Sequence, residues 1–137
     1  MGLADIPIRI AQLASLHCGD ITFRPELMRG AVERVNSIRP DLVVVAGDLT
    51  ASGYQWEYDE AVGWLEKIEA RKIVVPGNHD SKNVGYVHFE MRFGERFARQ
   101  RLVFDEERAE RVHATGVTIV AVDSSQPDLD EGHIGRE

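Results

Sequence analysis

Four short apolar runs in this chain are each followed at once by side chains suited to binding a cation. Ser15, His17, Cys18, Gly19 and Asp20 follow the first run, and Gly47, Asp48 and Thr50 the second. Gly77, Asn78, His79 and Asp80 follow the third, and Asp123, Ser124 and Ser125 the last. Carboxylate, amide and imidazole donors from separate loops are the ligand set of a site for Mn, Fe or Zn. Each piece alone has a plainer reading. Gly47-Asp48 after a strand is an ordinary turn, and Asn78-His79-Asp80 after Pro76-Gly77 is a turn with capping side chains. His17 alone reads as a hydrogen-bonded structural histidine, and Cys18 as a small buried apolar residue. The joint placement of these residues at strand ends carries the argument.

The elements that must position them alternate. Ile8–Leu13 predicts a strand, then a loop to Arg24. Pro25 suits the first turn of a helix, where its missing N–H is not needed. Leu27, Ala31, Val35 and Ile38 recur on one helical face that ends before Pro40. Leu42–Ala46 (LVVVA) predicts a strand buried on both sides. Tyr58, Ala61, Val62, Leu65 and Ile68 predict a second helix, and Ile73–Val75 a short strand. Phe89, Phe93 and Phe97 form a weaker helical stripe interrupted at Gly94. Leu102–Phe104, Ala109–His113 and Val117–Val122 predict three further strands, the last two joined at Thr115-Gly116. Strand and helix in alternation imply parallel pairing, and the closely spaced later strands an antiparallel addition. The class is α/β with a mixed sheet and flanking helices. The C-terminal ends of its parallel strands form the edge where such sheets bind ligands.

Composition narrows the function. With 137 residues and no repeat or linker, the chain reads as a single domain, residues 1–137. Sixteen Lys and Arg against 23 Asp and Glu give a net charge of −7, so nucleic-acid backbone binding is not expected. The single cysteine, Cys18, predicts an intracellular, cytoplasmic protein. No apolar run approaches the roughly 18 residues that span a bilayer, so no membrane association is expected. The first residues lack the basic start of a signal peptide, and Ile6 stands where myristoylation needs Ser or Thr. No glycine-rich phosphate loop follows the first strand, which sets aside a nucleotide-binding doubly wound domain.

PDLVVVAGDLTASG (Pro40 to Gly53) and VVPGNHD (Val74 to Asp80) resemble the second and third signatures of the calcineurin-like metallophosphoesterases. The Asp48-Leu49-Thr50 and Asp123-Ser124-Ser125 context resembles the branch containing cyclic-nucleotide and other class III phosphodiesterases, and the family resemblance runs over essentially the whole chain, including GHIGRE (Gly132 to Glu137). The resemblance implies the N-terminal half of the family's α/β/β/α sandwich. It implies a phosphate ester substrate and two divalent metal ions per complete site, with manganese, iron or zinc all suited. Asp48 would bridge the two ions, His17 ligate the first, and Asn78 offer an amide oxygen to the second. His79 would contact the phosphate and assist the leaving group, and Asp80 would orient His79. The implied reaction is an in-line displacement by a hydroxide that the two ions activate.

Two departures bear on activity. The family opens with Asp-X-His after the first strand, whereas here the motif is Ser15-Leu16-His17, so a charged donor is replaced by a hydroxyl. Asp20, three residues past His17, reads as a turn or helix cap. The family also draws further histidines from its C-terminal half, and Glu137 precedes both of those motifs. His88, His113 and His133 read as ordinary surface or core residues. The expectation is therefore a truncated, impaired phosphodiesterase or phosphatase; the alternative is a non-catalytic binding or interaction module on the same fold. Half a sandwich exposes apolar surface, which predicts a homodimer or other self-association.

Overall fold

The computed structural model describes residues 6–127 and 129–134. Every residue of β2 (Leu42–Ala46) is buried or half-buried, as an unbroken apolar strand between two neighbours requires. Beside it lie β1 (Ile10–Leu13) and β3 (Lys72–Val75), making a parallel sheet in the order β1-β2-β3. Ile10 pairs with Leu42 and Val44 with Ile73.

The crossovers are α1 (Pro25–Ile38) and α2 (Gln55–Leu65). Arg39, in the left-handed region at φ 45°, ends α1 before Pro40. Its buried stripe is Met28, Val32 and Val35, one residue round from the predicted face, and Leu27 is 70% exposed. Two overlapping apolar stripes fit the helical period here, and packing against β2 selects between them. The start of α2 precedes Tyr58 because the Glu57 carboxylate accepts the N–H of Tyr54, 3.0 Å away, at the helix entrance.

After β3 come α3 (Asn78–Ser81), a 3₁₀ turn at Lys82–Val84 and α4 (Gly85–Phe93). The predicted phenylalanine stripe stops at Gly94: Phe89 is fully buried and Phe93 packs beside it, whereas Phe97 lies beyond the helix and is exposed. The predicted strand Ala109–His113 is instead the helix α5 (Glu106–Val112). Asp105 caps it by accepting the Arg108 N–H at 2.8 Å, and Glu106 and Glu107 sit favourably in its first turn. The antiparallel partner of β5 (Gly116–Ala121) is therefore β4 (Ala98–Val103), not the segment before Thr115.

Each face of the parallel sheet has its own core. Val43 and Val45 pack with Leu49, Tyr58, Ala61 and Phe89 beneath the helices. On the opposite face Leu42 and Ile73 meet Ala121, with Leu102 and Ile119 from the β4–β5 ribbon. The result is a mixed α/β architecture in which the antiparallel pair forms its own ladder beside the parallel one. Among the described residues no helix is long and apolar enough to cross a membrane.

Candidate metal centre

β2 ends at Ala46, and the chain must leave the sheet at once. Gly47 (φ 76°) and Asp48 (φ 53°) make that exit in the left-handed region, which glycine enters freely and aspartate tolerates better than most. A Cβ on Gly77 would lie 2.2 Å from Oδ1 of Asp48, so the loop after β3 can approach Asp48 this closely only as glycine. The loop after β1 is stitched to the same place. The Ser15 N–H donates to the Gly47 carbonyl (3.1 Å), the His17 N–H to the Asp48 carbonyl (2.9 Å) and the Cys18 N–H to the Leu49 carbonyl (2.9 Å). The ends of β1 and β2 are thus locked together by main chain.

This brings His17, Asp48 and His79 into one group, with ligand atoms all within 4.8 Å of one another. His17 Nε2 stands 3.8 Å from Asp48 Oδ2, and the His17 and His79 rings meet edge to face at 4.8 Å. Divalent cations sit about 2.0–2.2 Å from imidazole nitrogen and carboxylate oxygen, so one fits between two atoms at that separation. The donor set suits the group. Oδ1 of Asp48 also accepts the main-chain N–H of His79 at 3.2 Å, which holds the carboxylate in orientation. Nδ1 of His79 lies 2.6 Å from the Ala51 carbonyl, which can only accept, so Nδ1 carries a hydrogen and Nε2 faces away from the main chain.

Asp80 requires a correction. Its carboxylate does not orient His79, whose ring partner is the Ala51 carbonyl. Fully buried, it accepts from the N–H groups of Leu49 (3.1 Å), Thr50 (2.9 Å) and Gly77 (2.8 Å) and from the Thr50 hydroxyl (2.8 Å). Burial raises its pKa above the usual carboxylate range, against the opposite pull of those four donors. Asp80 is the knot that ties the loop after β2 to the loop after β3.

Asn78 donates from Nδ2 to Oδ1 of Asp130 at 3.1 Å, which leaves its amide oxygen for another partner. It borders a cavity of about 360 Å³ whose walls include Asp48, Ser124 and Ser125. The other expected residues lie elsewhere. Asp20 closes a turn by accepting the N–H and hydroxyl of Thr22, and the hydroxyl contact lowers its pKa. Ser15 is exposed on the loop, in the left-handed region at φ 54°. Asp123 is buried, accepts from Arg96 at 2.9 Å and is not a member of the group. Cys18 is fully buried, and that burial pushes its thiol up to about 12, so it acts as an apolar core residue. His88 packs against Tyr58, His113 ends α5, and His133 is exposed with its N–H on the Ser124 carbonyl.

Two residues near the group escaped the sequence reading. Glu57 is buried beneath the loops and accepts the N–H groups of Ser52 and Tyr54 at 2.9 and 3.0 Å. Its signal was an acid three residues past Tyr54, at the entrance of α2. Lys82 places Nζ 3.3 and 3.4 Å from the two ring nitrogens of His79. The turn that follows it sets Asn83 at φ 50° and Val84 at φ 57°. For a β-branched residue such as Val84 that conformation costs on the order of 1–3 kcal/mol.

A family model for calcineurin-like phosphoesterases matches residues 13–131. Among curated relatives, a probable cyclic nucleotide phosphodiesterase of Vesicomyosocius okutanii subsp. Calyptogena okutanii (strain HA) is 32% identical over 56 residues, 41% of this chain and 24% of that protein. A probable cyclic nucleotide phosphodiesterase of Coxiella burnetii (strain RSA 493 / Nine Mile phase I) is 27% identical over 90 residues, 60% of this chain and 36% of that protein. The chain therefore spans between a quarter and about a third of the curated relatives it matches. The matched stretch runs from the end of β1 through all four loops discussed above. On that match the chain belongs to the calcineurin-like phosphoesterase family.

Proposed function

We propose that these loops form the cation- and phosphate-binding part of a phosphodiesterase centre acting on a phosphate ester. The observation that carries the reading is the convergence of His17, Asp48 and His79 within 4.8 Å at the ends of parallel strands. His17 Nε2 and Asp48 Oδ2 would hold a divalent cation of the Mn, Fe or Zn class, with the Asn78 amide oxygen available to a second. Bound there, such cations supply an activated water and draw charge from the phosphoryl oxygens. His79 is better suited to the phosphate than to a cation. An ammonium 3.4 Å from its Nε2 opposes a dication at that nitrogen but favours an anion beside it. The Ala51 carbonyl fixes the ring through Nδ1, so Nε2 is the nitrogen that would meet the phosphate ester.

The printed names of the two relatives support a cyclic nucleotide as the substrate class. The single cysteine, which has no second thiol to pair with, supports a cytoplasmic setting. Ser15, a neutral hydroxyl where the family carries aspartate, favours an impaired centre and keeps a non-catalytic binding module as the second reading. We extend the proposal to self-association through exposed apolar strand residues, of which Ile10 is 55% and Val120 67% exposed. Light scattering at micromolar concentration tests this; a clean monomer removes it.

The test of the main reading is Mn²⁺ stoichiometry beside hydrolysis of bis(p-nitrophenyl) phosphate, for the wild type, Asp48→Ala and His79→Ala. Bound metal that Asp48→Ala loses, with hydrolysis that both variants lose, supports the enzyme. Bound metal with rates equal in wild type and Asp48→Ala supports the binding module instead. Absence of bound metal removes the enzyme reading and leaves the non-catalytic binding module.

A further inference from the structure

The half-buried ammonium of Lys82 stands 3.3 Å from Nδ1 and 3.4 Å from Nε2 of His79, and among the described residues it has no carboxylate partner. The nearby acids are committed elsewhere. Asp80 is taken up by its four donors, and Asp48 by the His79 N–H and the His17 ring. The main chain holding Lys82 is pinned on both sides. A Cβ on Gly53 would come within 2.2 Å of the Lys82 carbonyl oxygen, and Asn83 Nδ2 donates to the Ser52 carbonyl at 2.9 Å. These contacts keep Asn83 and Val84 in consecutive left-handed conformations, so the residues just after Lys82 are placed by design of the fold rather than by a relaxed turn. A cation without an anion, set against the proposed phosphate-facing histidine of a protein with net charge −7, is complementary to one kind of ligand, an anionic one.

We propose that Lys82 is a substrate-contacting residue, its ammonium donating a charge-assisted hydrogen bond to a non-bridging oxygen of the phosphate ester beside His79. This rests on the phosphoesterase reading of His17, Asp48 and His79. It adds a recognition element from the turn after α3, outside the strand-end motifs. The flexible Lys stem lets the ammonium swing from the imidazole onto an oxygen without moving the pinned main chain.

Equilibrium dialysis of inorganic phosphate against the whole chain, with and without Mn²⁺, tests the assignment in wild type, Lys82→Met and Lys82→Arg, with bound Mn²⁺ measured in parallel. The expected result is an affinity about tenfold weaker in Lys82→Met, the size of one charge-assisted hydrogen bond. Lys82→Arg should recover most of it, and Mn²⁺ content should be the same in all three. Equal phosphate affinity in wild type and Lys82→Met overturns the role of Lys82 and leaves the phosphoesterase reading standing. A loss that Lys82→Arg does not restore, or that accompanies lost Mn²⁺, also overturns the role, since a structural defect would then account for it. A wild type that binds Mn²⁺ but no phosphate overturns the phosphoesterase reading itself, and Lys82's part in it.

Discussion

The two faces of the parallel sheet are finished to different degrees. Under the helices Val43, Val45, Leu49, Tyr58 and Phe89 are all fully buried, and the polar groups Thr50, Glu57 and Asp80 are sealed in beside them with their hydrogen bonds met. On the ribbon side Leu42 and Ile73 are buried, but Ile10, Val103 and Val120 are each more than half exposed. The site loops are anchored almost wholly to the helical side. Tyr58 donates to the Asp80 carbonyl at 2.8 Å, Glu57 holds Ser52 and Tyr54, and Cys18 sits in the core between them. The ribbon side reaches the centre by two lighter contacts, Asn78 to Asp130 and Ser81 to Ser125 at 3.0 Å. The centre should thus survive damage to the ribbon and fail on damage to the helical side.

Asp80→Ala should have the largest effect. It strands the buried N–H groups of Leu49 and Thr50, the Thr50 hydroxyl and the half-buried N–H of Gly77, so a loss of about 3–5 kcal/mol in urea unfolding is expected, with Mn²⁺ binding lost too. Retention of near wild-type stability would mean that the strand ends are held together by something other than this knot. Gly77→Ala comes next, at about 2–4 kcal/mol, because the new methyl meets Asp48 and main chain that cannot yield. Its Mn²⁺ affinity should fall even where the protein still folds, and isothermal titration separates the two effects.

Arg96→Met probes the other face. It leaves the buried Asp123 carboxylate with only the main-chain N–H and hydroxyl of Ser125. A cost of about 1–2 kcal/mol is expected, with Mn²⁺ affinity unchanged within error. A matching loss of metal would abolish the contrast between the faces. The smallest effect concerns Asp41, where burial raises the carboxyl's pKa but hydrogen bonds from Arg108 and the Arg9 N–H outweigh it and hold it below the ordinary value. A carboxylate lowered in the folded state adds stability above its unfolded pKa of about 3.9, and that stability fades as pH falls through the folded value. Asp41→Asn should therefore cost about 1 kcal/mol near neutral pH and flatten the acid limb of a Tm-against-pH curve below about pH 4. An unchanged acid limb would exclude the Asp41–Arg108 contact as a tie between β2 and α5.

Much of this was legible in the residues. An apolar LVVVA run has one stable placement, between two neighbours, and the Gly-Asp and Gly-Asn-His-Asp turns that follow such runs mark the sheet edge where ligands bind. Asp20 as a turn cap and Cys18 as a core residue also follow from chemistry local to each. Non-local competition hid the rest. Ala109–His113 suits a strand until the Asp105 cap and two following acids are weighed, and α1 carries two apolar stripes that only packing distinguishes.

The sequence by itself determined which side chains could meet at the strand ends, because strand period, glycine position and donor type are properties of short segments. The tertiary structure decided how they are used. Asp80 is adjacent to His79 in sequence, yet its carboxylate turns inward, where the buried N–H groups of Leu49 and Thr50 need an acceptor that water cannot supply. The histidine ring is left to a carbonyl 28 residues upstream and to an ammonium three residues on. Such pairings depend on which buried donors remain unmet once three loops are brought together, and no single segment records that.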